Sequence, residues 1–259
     1  DVDSDAYAGQ AGLAAALGAQ VVVVDDHGVT KADVGDSVTF ASAGTLTIQA
    51  TTNRDHELVA VGVQGSLGVS AGASLAYSTF DGITAADVGN SVTISGVTTI
   101  NVNVLDQTTL DDDTLAVSAG ILAGNGSVST ATYSPVVYAT VGSSATITGA
   151  TSVNVTATSQ PKLKANTQGV QVGLGSVGVS IATAESKPTI AAGLGSSSDV
   201  TTTNLTVTGT YQPQSGQKTT QTYASGASGS LIGYNGSWSE AFDTPHVTSV
   251  LIGFDPLTK

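Results

Sequence analysis

Val88-Gly89-Asn90-Ser91-Val92-Thr93-Ile94, followed after a short gap by Thr99-Ile100-Asn101-Val102, decides the fold, because the chain repeats it. Val141-Gly142-Ser143-Ser144-Ala145-Thr146-Ile147 leads in the same way to Ser152-Val153-Asn154-Val155. Upstream, Val34-Gly35-Asp36-Ser37-Val38-Thr39-Phe40 leads to Thr45-Leu46-Thr47-Ile48. A worn fourth copy keeps Leu194-Gly195 and Asn204-Leu205-Thr206-Val207. Gly35, Gly89, Gly142 and Gly195 stand 54, 53 and 53 residues apart, and Ile252-Gly253 reads as a degenerate fifth phrase 58 residues further on.

Within each copy an apolar residue alternates with Thr, Ser or Asn, the period-two pattern of a half-buried strand. Small pairs such as Ala43-Gly44 and Gly149-Ala150 part the two strands and suit tight turns. The alternation predicts that Val38, Phe40, Leu46, Ile48, Val92, Ile94, Ile100, Val102, Ile147, Val153, Val155 and Val207 point inward. Thr47, Asn101 and Asn154 then point outward.

The second half of each repeat is a Gly-rich arm, over 58–77 in the first full copy and 169–184 in the third. Turns are expected at Gly65-Ser66-Leu67-Gly68 and Gly173-Leu174-Gly175-Ser176. Val69, Ala71, Ala73 and Leu75 share one face, and Ser70, Gly72, Ser74 and Ala76 the other; Val177, Val179 and Ile181 oppose Gly178, Ser180 and Ala182. The bare face permits close approach of another sheet, so Gly72, Ser74, Gly178 and Ser180 are the expected assembly face.

Residues 1–31 read as a partial repeat consisting of an arm, although Ala and Leu near 13–17 would also suit a short helix. Repeats follow at 32–85, 86–138 and 139–191, with a degenerate one at 192–232. Residues 233–259 hold Trp238, Phe242, Pro245 and Phe254 and read as an aromatic-containing cap. Beginning inside a repeat suggests a piece of a longer chain. The fold class expected is all-β: a repeat-built β-solenoid, parallel β-helix-like, with Gly-rich hairpin arms. A β-sandwich of hairpins is the alternative. Because 53 residues is long for one coil, each repeat is expected to give two coils, or one coil plus a projecting hairpin. Two coils in each of four repeats would extend roughly 40 Å at about 4.8 Å per strand.

The cycle of Val-Gly-x-Ser-Val-Thr-Ile, small-residue turn, Val-x-Val strand and Gly/Ala/Ser-rich arm resembles the repeats of leukotoxin-family and filamentous-haemagglutinin-like bacterial exoproteins. The resemblance covers roughly 34–208. It implies a long secreted or surface-attached β-solenoid adhesin, and it offers no catalytic motif to carry over. The Asp111-Asp112-Asp113 run and the aromatic C-terminal stretch depart from the plain repeat.

Composition narrows the function classes. The 259 residues carry 7 basic against 20 acidic groups, a net charge of −13, and Arg54 is the sole arginine. Nucleic-acid binding needs Lys and Arg to replace counterions, and anionic membranes need the same, so neither partner is expected. Only 10% of residues are charged and 5% aromatic, as suits a β-rich exported surface covered by Thr, Ser and Asn. Cys is absent, so no disulfide framework exists. The longest purely aliphatic run, Val21 to Val24, is too short to span a bilayer.

Little points to catalysis. His27, His56 and His246 lie in different contexts, the first two beside acids in Asp25-Asp26-His27 and Asp55-His56-Glu57. Arg54, Lys162 and Lys164, the cations near candidate strands, fall in different repeats. No nucleophile elbow or phosphate loop is present. No cofactor is expected. Structural calcium is the one candidate ligand, with Asp111, Asp112 and Asp113 as the dense oxygen donors and Asp1, Asp3 and Asp5 as a weaker set.

The expected function is a non-catalytic extracellular structural or adhesive segment at a bacterial surface. Its partners are further repeats of the same chain or identical subunits, with a host surface protein or glycan as an outside partner. A self-assembling filament subunit is the alternative, and a polysaccharide-active β-helix enzyme the second alternative.

Overall fold

The computed structural model describes residues 2–41 and 44–251. The proposed fifth phrase at Ile252-Gly253, Phe254, Asp1 and the Ala43 half of the first turn lie outside the described residues. Strands make up the whole regular structure, and no helix occurs among the described residues.

The N-terminal partial repeat supplies β1 (Val2–Gly12), β2 (Ala15–Asp26) and β3 (Val29–Val34). The next supplies β4 (Thr39–Phe40), β5 (Thr45–Ser66), β6 (Val69–Phe80) and β7 (Ile83–Val88). Then come β8 (Thr93–Ser95), β9 (Thr99–Ala119), β10 (Leu122–Tyr133) and β11 (Val136–Val141). The third full repeat runs as one long β12 (Thr146–Ser186) followed by β13 (Thr189–Leu194). The last gives β14 (Asp199–Tyr211), β15 (Thr220–Asp243) and β16 (His246–Val250).

Every one of these strands pairs in parallel with its counterpart one repeat away. Leu46 stands opposite Ile100, and Ile100 opposite Val153. Val69 stands opposite Leu122, and Leu122 opposite Gly175. Ile83, Val136 and Thr189 form a third such row. One repeat is therefore one coil of a parallel β-solenoid. The two-coil expectation is corrected: four coil-to-coil steps at about 4.8 Å give about 20 Å of stack, half the expected length. The sandwich alternative falls with it, because the ladders run between repeats.

A coil has two parts. The first is a rounded body enclosed by β8, the first half of β9 and β11, with their equivalents above and below. All twelve residues expected inside lie in its aliphatic cluster, eight fully buried and Val38, Phe40, Leu46 and Val207 partly so. Thr47 is exposed, and Asn101 and Asn154 are half-buried outside the cluster. They form a ladder there, Asn154 Nδ2 donating to Asn101 Oδ1 at 2.9 Å.

The Val-Gly-x-Ser phrase makes the sharp corner after β3, β7, β11 and β13. Ser37, Ser91, Ser144 and Ser197 all take a left-handed backbone, with φ between 56° and 59°. The amides of Ser37, Ser91 and Ser144 bond to the next coil, Ser91 N donating to Ser143 O at 2.9 Å. The preceding side chain stitches the corners as well: Asn90 N donates to Asp36 Oδ1 at 2.6 Å, and Ser143 N to Asn90 Oδ1 at 2.9 Å. At Gly89, Gly142 and Gly195 the corner glycine is required by space. A Cβ on Gly142 would lie 2.6 Å from the carbonyl carbon and oxygen of Gly89 and 2.8 Å from Asn90 N.

The second part is the arm, where the later half of each long strand turns at its tip and returns as β2, β6 or β10. The outgoing and returning strands are not hairpin partners. Each bonds to neighbouring coils, and they face one another as two walls of a thin sandwich, which corrects the hairpin expectation. The aromatic C-terminal stretch is no separate cap up to Val250. Residues 220–243 pair with β12 from Leu163↔Thr220 to Ser186↔Asp243, completing the fourth coil. The register moves from Ser159↔Tyr211 to Leu163↔Thr220, so five extra residues sit in the 212–219 loop and lengthen this repeat.

Candidate functional site

The polar and ionisable groups that the fold gathers lie where the body narrows into the arm. On β9 the inward-facing residues are the even-numbered ones: Ile100, Val102 and Val104, then Asp106, Thr108, Leu110 and Asp112. Two carboxylates thus enter the interior on the parity that elsewhere carries aliphatics.

Asp106 is fully buried and accepts three hydrogen bonds, from Tyr133 Oη at 2.7 Å, Thr84 Oγ1 at 2.8 Å and Thr108 Oγ1 at 2.9 Å. Tyr133 Oη also meets Ser159 Oγ at 2.7 Å, and Thr84 meets Thr52 at 2.7 Å. Burial raises the Asp106 pKa, and the three donors oppose that rise. Burial likewise holds the Tyr133 phenol well above its ordinary value. Phe80, Leu110, Leu163 and Tyr133 pack around this network, the Phe80 and Tyr133 rings 5.8 Å apart.

Asp112 lies one step further toward the tip. Its Oδ2 accepts from Ser78 N at 3.1 Å and Ser78 Oγ at 2.8 Å, while its buried Oδ1 has no partner. Burial pushes its carboxyl up to about 8, against the pull of those bonds. The group is therefore mostly neutral at pH 7.

Asp111 and Asp113 point to the opposite side of β9. There Lys164 of the next coil reaches Asp111 Oδ1 at 2.8 Å and Asp113 Oδ1 at 3.2 Å. Strand alternation therefore splits the three aspartates that sequence suggested as calcium ligands. Two are clamped by a lysine outside and one is buried inside, so they do not converge on a common cation. Asp3 and Asp5 lie on one face of β1 beside Glu57 and Val59 of β5, with no closing ligand set.

A second group lies at the corner between β2 and β3. His27 is exposed, with Nδ1 bonded to Asp81 of the following coil and Nε2 3.2 Å from Asp25 Oδ2. Asp25, His27 and Asp81 are the one set of three close enough to share a metal ion among the described residues. The hydrogen bond to Asp81 and the charges of Asp25 and Asp81 raise the His27 pKa, which favours an imidazolium holding both carboxylates over a metal ligand. Beneath it, Arg54 Nη1 is 3.1 Å from Asp26 Oδ2 and its guanidinium lies 4.7 Å above the Phe80 ring. His56 Nε2 is 3.3 Å from the same Asp26 oxygen, and burial lowers the His56 pKa. His27 and His56 thus share a neighbourhood, while His246 lies at the far end of the stack.

The expected assembly face lies inside the arm. Ser74 and Ser180 are fully buried, and a Cβ on Gly72 or Gly178 would collide with Gln64 or Gln171 of the facing wall. Ser74 Oγ donates across the gap to Leu115 O at 2.8 Å, and Asn125 Nδ2 to Ala116 O at 2.8 Å. The bare faces meet each other toward the tip, where Gln64 and Gln171 fill the space over Gly72 and Gly178, while Val22, Leu58, Ala60 and Ala76 pack between the walls nearer the base. Val69, Leu75, Val177 and Val179 consequently face outward.

No family model, curated protein or solved structure matches the chain. The leukotoxin-family and haemagglutinin-like resemblance therefore rests on the wording of the repeat. No helix among the described residues is long and apolar enough to cross a membrane.

Proposed function

We propose that the chain is a non-catalytic structural or adhesive segment of an extracellular bacterial surface or secreted protein, in which reach is made by stacking coils. The observation that supports this most is the identity of the contacts between coils. The same left-handed Ser corner and the same parallel register recur from coil to coil, so a longer stack needs no new kind of contact. The acidic, cation-poor surface suits a hydrated extracellular stalk better than a nucleic-acid or anionic-membrane partner.

A filament subunit is the second reading, favoured by the same recurrence, since identical subunits could join through the kind of contact that joins one coil to the next. A polysaccharide-active enzyme finds less support, because Asp106 and Asp112 face a packed interior and a sugar needs its carboxylates on an open cleft.

The test is labelling of intact producing cells with a membrane-impermeant amine reagent, paired with incubation of the purified chain with a polysaccharide panel. The proposal expects labelling before lysis and no release of reducing ends. Labelling only after lysis, or sugar release lost in Asp106→Asn, would overturn it.

A further inference from the structure

The arm is built inside out, and its returning wall is the place where this shows most. The wall comprises β2, β6, β10, residues 175–186 of β12 and residues 232–243 of β15, stacked in that order. Its inner side is mainly Ser, Gly and Ala, with Gln20, Val22 and Asn125, and its outer side carries Leu17, Val21, Val69, Leu122, Val177 and Val179 in solvent. Tyr234 and Trp238 complete it, 77% and 62% exposed.

Charge is absent from the tip-side part of this wall, and Asp25, Glu185 and Glu240 stand at its base-side margin. No Asp, Glu, Lys, Arg or His occurs in 6–24, 58–80, 114–135, 165–184 or 219–239, the arm segments of five successive coils. The charged residues gather at the arm base and around the body. Single exposed aliphatics are ordinary, but a contiguous uncharged face is not.

We propose that this wall is the interface for a second copy of the same chain, two walls stacking face to face about a two-fold axis. Three features select that occupant. First, a chain of net charge −13 repels its own copies, and the tip-side part of the wall is where two of them can meet with the fewest opposing like charges. Second, Gly124 and Gly175 floor an apolar groove of about 410 Å³, with Leu122 and Val177 beside it and Ile232 and Tyr234 along one rim. Such a trough can receive exposed apolar ridge residues of another copy at the spacing of about 10 Å usual for stacked sheets.

Third, the area is adequate. Five strands at about 4.8 Å and about eight residues at 3.3 Å give about 600 Å² per copy, so about 1,200 Å² for a pair, the lower end of stable interfaces. A lipid bilayer fits less well. The arms offer no Lys or Arg to anchor at headgroups. The pairing requires neither a cell surface nor a receptor, so it holds or fails independently of the structural role proposed above.

Trp238 is the only tryptophan and lies on the wall, so its emission reports the contact directly. Sedimentation of the whole chain up to about 100 µM should give a species of twice 25.5 kDa, with a concentration-dependent blue shift of that emission. Val177→Lys with Tyr234→Lys should weaken association at least about tenfold with an unchanged circular dichroism spectrum. Val63→Lys with Val172→Lys, on the other wall, should leave it intact.

Should the charged wall variant misfold, Ala73→Cys in this Cys-free chain gives a second reading. Its thiol should react more slowly as protein concentration rises. A monomer throughout the range, equal weakening by both variants, or concentration-independent thiol reactivity would overturn the proposal. So would a monomer whose emission shifts only with phosphatidylcholine vesicles, which would assign the wall to lipid.

Discussion

Replacing Gly142 by Ala isolates the close approach between coils from every other effect of a glycine. The φ of Gly142 is not in the left-handed region, so alanine brings no backbone strain. On that ground alone it would stabilise by about 0.4–1 kcal/mol through the unfolded chain. Against this stands the new Cβ, 2.6 Å from the carbonyl of Gly89 and 2.8 Å from Asn90 N, all backbone atoms. Relief requires the corner to open by most of an ångström and stretches the Gly142 N to Val88 O bond, now 2.6 Å. Overpacking of this kind costs about 1–3 kcal/mol.

Gly35 occupies the same place in the first corner, with nothing within 4 Å of an added Cβ. Gly35→Ala should therefore be neutral or slightly stabilising. The unfolded-chain gain is common to both, so urea unfolding followed by circular dichroism should separate the two variants by the overpacking cost, about 1–3 kcal/mol, at an unchanged m-value. Equal effects from Gly35→Ala and Gly142→Ala would refute the steric origin of the corner glycine.

Ile100→Asp, which buries an unpaired charge in the body, should cost several kcal/mol, while Thr47→Asp on the outer face changes the melting temperature little. Asp112 titrates at about 8 folded against 3.8 for the free group. Its stabilising contribution is thus complete below pH 4 and lost as pH rises through 8, on the order of 5 kcal/mol in full. His27, whose pKa is raised, acts in the same sense, so a pH series of denaturation midpoints should fall from acid to alkaline and flatten in Asp112→Asn. Because Lys164 already clamps Asp111 and Asp113, adding a chelator should move the melting temperature by no more than a few degrees. A fall of tens of degrees would restore the acidic run as a cation site.

Body and arm differed in how far the sequence could be read. In the body, alternation and burial agree because the enclosed space is wide enough for Val and Ile, so Ile100, Val153 and their neighbours could be placed from period two alone. The same alternation over 69–76 yields two faces but not which is inner. That depends on the gap between walls, where Gln64 lies against Gly72 and Gln171 against Gly178 across the tip turn, and alternation does not say which way that turn folds the two faces.

Repeat length likewise fixes the spacing of equivalent residues without fixing the perimeter of a coil, so a long single coil and two short ones read alike. The split of Asp111, Asp112 and Asp113 was available from strand alternation, as was the inward parity of Asp106. What could not be seen was that Tyr133, Thr84 and Thr108 would meet Asp106, or that Arg54 would settle between Asp26 and the Phe80 ring.

One coil per repeat is tested most directly by a disulfide across the Asn ladder. Asn101 and Asn154 are Cα partners on adjacent strands, about 4.8 Å apart, within the range a disulfide spans. In this Cys-free chain, Asn101→Cys with Asn154→Cys should form an intramolecular bond under mild oxidation. Asn101→Cys with Thr206→Cys, two coils apart at about 9.6 Å, should not. Efficient bonding in the second pair, or none in the first while the protein remains folded, would contradict a solenoid that turns once every repeat.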